Sequence, residues 1–129
     1  MNHPSPTDHP TRVLLVDDHR TALWGLARLV QGEAPRLSLV GIATDAEQAL
    51  HAARSRAPDV VLLDGHLGAE PGLLEALREL GPRVVVLVAS ADAARPRRAD
   101  AVLPKAGPAA RILAAIDALA ASARATRAH

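Results

Sequence analysis

Ala57-Pro58-Asp59-Val60-Val61-Leu62-Leu63-Asp64-Gly65-His66-Leu67-Gly68 is the stretch on which the fold turns. Pro58 interrupts what precedes it, and four aliphatic residues, two of them β-branched, then run straight into an acid. A short continuous apolar run bounded by turn signals suits a strand buried on both faces, as in a parallel sheet covered by helices. Asp64 stands where that strand ends, with glycines at 65, 68 and 72 behind it. Taken alone, such an acid is either a loop residue capping the next helix or a group in the crevice where open α/β sheets bind ligands.

The flanking segments repeat the pattern. Before it, Val13-Leu14-Leu15-Val16 forms a first strand ending in Asp17-Asp18. Leu23, Leu26, Ala27 and Val30 recur at helical spacing, so a helix follows to about Gln31 and stops near Gly32. Leu37 to Ile42 reads as a second strand, and Thr44-Asp45-Ala46-Glu47, with capping-box spacing, opens a helix to about Arg56. After the Pro58 strand, Pro71 and Gly81 bracket a helix over Gly72 to Leu80. Val84 to Val88 is a fourth strand ending at Ala89-Ser90, Ala101-Val102-Leu103 a short fifth, and Pro108 starts a last helix with Ile112, Leu113, Ile116 and Leu119 on one face. Strands that alternate with helices predict a doubly wound, five-stranded parallel sheet of the α/β class, and the flavodoxin-like order 2-1-3-4-5 makes strands 1 and 3 neighbours.

Composition narrows the function. The 129 residues suffice for one domain, expected over 11–121 between flexible tails at 1–10 and 122–129. Hydrophobic residues make up 49% of the chain and aromatic residues 1%, so the core must be aliphatic. A formal net charge of +1 provides no field to draw nucleic acid or an anionic membrane. The absence of cysteine excludes disulfides, thiol catalysis and thiolate metal sites. Residues 1–10 lack the apolar segment of a signal peptide, and no apolar run approaches a membrane span, so a cytoplasmic domain is expected.

In the 2-1-3-4-5 order, Asp17, Asp18 and Asp64 converge at the switch point, with Ser90 and Lys105 at the ends of the next two strands. Adjacent strands lie about 4.8 Å apart, so carboxylates on them repel one another unless a cation intervenes. An all-oxygen site suits Mg²⁺. A divalent cation, an ammonium and a hydroxyl donor around one carboxylate would stabilise a phosphoryl group upon it. Each residue alone has an ordinary structural reading; together they form a pattern.

On these residues the chain resembles the CheY-like receiver domains of two-component response regulators, from about Arg12 to Ala121. Val13-Leu14-Leu15-Val16-Asp17-Asp18-His19 with Gly25-Leu26, and Lys105-Ala106-Gly107-Pro108 through Ile116, are similar to the NarL/LuxR-type subgroup. The resemblance implies that Asp64 is the phosphoacceptor, charged by a sensor histidine kinase. It implies that Asp18 binds Mg²⁺ directly and Asp17 largely through water, with Asp64 and the backbone carbonyl of His66 as further ligands. Ser90 would bond the phosphoryl group and report its presence, and Lys105 would pair with its oxygens. Such a domain catalyses only its own phosphorylation and dephosphorylation, and signals to a downstream protein partner.

Three departures from the family bear on output. Fourteen residues separate Ser90 from Lys105, with Pro96 in the middle, so the fourth helix, between strands 4 and 5, is expected to be shortened or absent. Val102 occupies the strand-5 position where the family has Tyr or Phe, and Gly68 replaces a common Pro, which should loosen the loop after strand 3. Any homodimer is therefore expected through the first or last helix. Trp24 is either half-buried packing or a partner contact, the His66 side chain is expected to be a solvent-exposed loop residue, and the Arg95, Arg97 and Arg98 cluster a solvated loop. Two alternatives remain open: a pseudo-receiver acting as a phosphorylation-independent interaction module, and a flavin binder, which the acids at the switch point oppose. About eight residues after the last helix leave no room for a DNA-binding module, so the chain reads as a stand-alone receiver or the N-terminal part of a longer regulator.

Overall fold

The structure, a computed structural model, describes residues 9–89 and 98–127. Five strands, β1 (Thr11–Val16), β2 (Leu37–Ala43), β3 (Val60–Asp64), β4 (Arg83–Val88) and β5 (Ala101–Pro104), form one sheet in the order β2-β1-β3-β4-β5. Every neighbouring pair is parallel. The helices are α1 (Arg20–Gln31), α2 (Ala46–Arg56), α3 (Gly65–Gly68), α4 (Leu73–Glu79) and α5 (Ala109–Arg127). Among the described residues no helix is long and apolar enough to cross a membrane.

Because side chains alternate along a strand, the continuous apolar runs split into two cores. Val13, Leu15, Val60, Leu62, Val85 and Leu87 point to the face covered by α1 and α5, where Leu23, Ala27, Val30, Ile112 and Ile116 meet them. Leu14, Val16, Val61, Leu63, Val84 and Val86 point to the face covered by α2 and α4, against Ala49, Ala53, Leu73, Leu74 and Leu77. Helices on both faces explain why these strands lack polar alternation. The aliphatic core expected from composition is present, and the α5 stripe runs through Ile112, Ile116, Ala120 and Ala123, with Leu113 and Leu119 at its margins.

Local differences from the sequence reading have identifiable causes. The cap of α2 is shifted by one residue: Asp45, not Thr44, is the N-cap and accepts from the Gln48 amide at 2.8 Å. The Gln48 side chain returns to the Thr44 amide and hydroxyl at 3.0 Å each. The segment after β3 is not the loosened loop expected from Gly68 but the helical turn α3, and a Cβ at Gly68 would lie 3.3 Å from Leu63 Cδ2. The stretch 122–127, expected as tail, continues α5 to Arg127. The N-terminal tail at 1–8, Ser90, the predicted loss of the fourth helix, Arg95 and Arg97 fall outside the described residues.

The short strand β5 is clamped to β4 by Asp100. Its amide donates to the Val84 carbonyl at 2.9 Å, and its Oδ2 accepts from the Val84 amide at 2.7 Å. Its Oδ1 lies 3.3 Å from Arg78 and 3.9 Å from Arg83. Val84 is fully buried, so removing the acceptor strands its N–H. Asp100→Ala is therefore expected to cost about 1–3 kcal/mol in denaturant unfolding, and Asp100→Asn, which keeps an acceptor, to cost clearly less.

Candidate functional site

The site forms where β1, β3 and β5 end on the same edge of the sheet. β1 closes through the Asp17 amide, which donates to the Ala43 carbonyl at 3.0 Å and extends the pairing with β2 by one residue. This holds Asp17 at 1% exposure, while Asp18, one residue on, is exposed. Asp64, the last residue of β3, is 4% exposed and pairs in register with Leu87. Gly65 lets the chain turn immediately after it, because a Cβ there would sit 3.2 Å from the Leu87 carbonyl oxygen. Lys105 follows β5, and its amide donates to the Val88 carbonyl at 2.8 Å.

The strand geometry thus brings Lys105 between the two buried acids. Its Nζ lies 2.9 Å from Asp64 Oδ1, as a hydrogen bond, and 2.5 Å from Asp17 Oδ2, as an ion pair. Burial opposes the lysine charge, but the hydrogen bonds and charges of Asp17 and Asp64 outweigh it and hold the Lys105 pKa above its ordinary 10.5. Asp17, Asp18, His19 and Asp64 each offer one ligand atom, all within 4.8 Å of one another. Asp64 Oδ2 is buried and has no hydrogen-bond donor. Unsatisfied buried carboxylate oxygens are costly, and one ammonium faces three carboxylates. A divalent cation fits this donor set, with Asp17, Asp18 and Asp64 as the carboxylates that would hold it.

Of the residues singled out from sequence, Asp17, Asp18, Asp64 and Lys105 converge. His66 lies in the α3 turn two residues beyond Asp64, with its side chain exposed. Trp24 is 65% exposed on α1, with the Arg28 guanidinium 4.9 Å from its ring centroid, so it is not core packing. The residue that sequence reading missed is His19. Its ring Nδ1 stands 3.1 Å from Asp17 Oδ1 and 3.0 Å from Asp18 Oδ1. Its adjacency to the two acids was the available signal.

The family described as response regulator receiver domain matches residues 13–117. The nitrate/nitrite response regulator protein NarL of Escherichia coli (strain K12) is 39% identical over 85 residues, covering 63% of this chain and 39% of NarL. The chain thus spans about two fifths of the length of that curated relative. Among solved structures, the signal receiver domain of the response regulator NarL from Mycobacterium tuberculosis superposes with a TM-score of 0.73 at 28% identity, covering 87% of this chain and 97% of that one. A CheY-like receiver domain protein from Methanospirillum hungatei JF-1 superposes with a TM-score of 0.75 at 21% identity, covering 91% and 98%, a likeness of fold.

The sequence holds no other lysine, and no tyrosine or cysteine, so from roughly pH 9 to 12 Lys105 is the side chain that titrates. A lysine whose folded pKa exceeds its unfolded pKa stabilises the fold fully below the unfolded value, and that contribution is lost as pH rises through the folded value. The free energy of unfolding should accordingly fall as pH climbs above 10.5. In Lys105→Met the same series should be flat over that window. An equal alkaline loss in both proteins would contradict the placement of Lys105.

Proposed function

The chain belongs to the response regulator receiver domain family, and on that premise we propose that Asp64 accepts a phosphoryl group from a sensor histidine kinase in a Mg²⁺-dependent reaction. The observation that carries this reading is the position of the Lys105 ammonium, 2.9 Å from a buried carboxylate at a strand end that two further acids approach. Phosphoryl transfer depends on positioning and on charge stabilisation more than on covalent chemistry by the protein, and this pocket supplies both.

Asp64 is held by β3 and by its bond to Lys105, with Oδ2 bearing lone pairs that no protein donor engages. Attack by this carboxylate forms a P–O bond as the P–N bond of the donor phosphohistidine breaks, and the electron pair leaves with the imidazole nitrogen. Lys105 then pairs with the phosphoryl oxygens in place of the carboxylate. Asp17, Asp18, Asp64 and the His66 carbonyl would hold the Mg²⁺, which would supply positive charge against those oxygens. The Ser90 hydroxyl, two positions beyond the end of β4 in sequence, would donate to the phosphoryl group. A protein partner is best received on α1, where exposed Trp24 and Ile42 flank an apolar depression of about 590 Å³ lined also by Leu23 and Ala27.

Incubation with a small phosphoramidate or acyl phosphate is expected to give one phosphoryl adduct by intact mass. The adduct should require Mg²⁺, decay by hydrolysis, and be missing in Asp64→Asn. An Asp64→Asn protein labelled as well as the parent would reassign the acceptor. A parent that takes no phosphoryl group and binds no Mg²⁺ would return the chain to the class of phosphorylation-independent interaction modules.

A further inference from the structure

We propose that His19 is a further ligand of the metal site, through Nδ1, and that it tilts the site's preference from Mg²⁺ toward divalent transition ions such as Ni²⁺ or Zn²⁺. The inference rests on the reading of Asp17, Asp18 and Asp64 as a metal site. It starts from the local chain. The His19 amide donates to Asp17 Oδ1 at 2.9 Å, a tight turn that folds the backbone after β1 back over the acid. His19 is the N-cap of α1, yet its side chain makes no capping hydrogen bond. The ring lies instead against the carboxylates, with Nδ1 3.1 Å from Asp17 Oδ1 and 3.0 Å from Asp18 Oδ1.

Those separations have the size of a coordination edge. Octahedral ions with bonds of about 2.0–2.1 Å place adjacent ligand atoms roughly 3.0 Å apart. His19 Nδ1 therefore already stands at the spacing of a coordination edge from each of Asp17 Oδ1 and Asp18 Oδ1. Independently, Asp64 Oδ2, on a residue 4% exposed, is buried without a hydrogen-bond donor within the same cluster. Lys105 occupies the opposite side, on Asp17 Oδ2 and Asp64 Oδ1, and leaves the Asp17 Oδ1 side to the imidazole. Coordination needs the ring proton on Nε2, a change of tautomer that requires no movement of the ring.

Mg²⁺ favours oxygen ligands and sheds water reluctantly, whereas imidazole nitrogen suits the later first-row ions, whose affinities rise along the series to copper. An oxygen set with one nitrogen added keeps Mg²⁺ as an occupant but raises the affinity of Ni²⁺ and Zn²⁺ selectively.

Mn²⁺, which takes the same oxygen ligands and is paramagnetic, is the probe. Mn²⁺ that Mg²⁺ displaces should show electron spin-echo modulation from an imidazole ¹⁴N in the parent protein. The modulation should vanish in His19→Ala and His19→Gln, both still binding Mn²⁺, and persist in His51→Ala, on the exposed face of α2. Calorimetry should show the Ni²⁺-over-Mg²⁺ affinity ratio falling by about tenfold or more on loss of His19, the effect of losing roughly one coordinate bond. Competable Mn²⁺ without ¹⁴N modulation, or modulation that survives in both His19 variants, would overturn the role of His19 and leave the acidic site standing. No competable Mn²⁺ in the parent would overturn the metal site itself.

Discussion

The structure depends on keeping carboxylates close together at the edge of an aliphatic sheet. Asp17 and Asp64 are held on adjacent strands by the β1–β3 register, almost without solvent. Like charges this near and this buried repel strongly and cannot be relieved by relaxation of the close-packed core. Lys105 is the protein's own counterweight, and its raised pKa records how strongly the two acids hold its charge. The arrangement is stable enough to fold yet leaves Asp64 Oδ2 without a donor, so the pocket retains an affinity for added positive charge. A bound divalent cation would meet that unfilled demand.

The acids and the lysine are positioned by backbone, not by flexible side chains. The Asp17 amide is tied to Ala43, the Asp64 strand to β4, and the Lys105 amide to Val88. Each functional group therefore hangs from a strand terminus whose hydrogen bonds fix its origin to within the precision of the sheet. Lys105, the one long side chain in the set, is also the one held at both ends: by Val88 at its amide and by two carboxylates at its tip.

Much of this was legible in the sequence because parallel strands buried on both faces read as unbroken aliphatic runs, and each of those runs ends in a polar residue. The order 2-1-3-4-5, the acids at the switch point and Lys105 all follow from that pattern. What the pattern could not resolve was local. Thr44 and Asp45 both satisfy the chemistry of an N-cap, and which one caps depends on where the β2 chain leaves the sheet. The α3 turn is four residues long, too short for any periodicity to show. His19 escaped notice because its place is set by a backbone turn onto Asp17, which no spacing of residue types encodes.

The position of Val102 bears on how a change at Asp64 travels outward. The aromatic residue that the family resemblance leads one to expect there could swing between two positions. Valine cannot: it is short and stiff at χ1, and here it pairs with Val86 and packs partly buried against the α2–α4 core. Val102 therefore offers no such side-chain switch. The Lys105 backbone is bonded to Val88, which ties β5 to β4. β5 is a four-residue edge strand, anchored at its start by Asp100 and at its end by Lys105. With Lys105 anchored to Val88 at one end and Asp100 to Val84 at the other, β5 is tied to the pocket through backbone rather than through a side-chain switch.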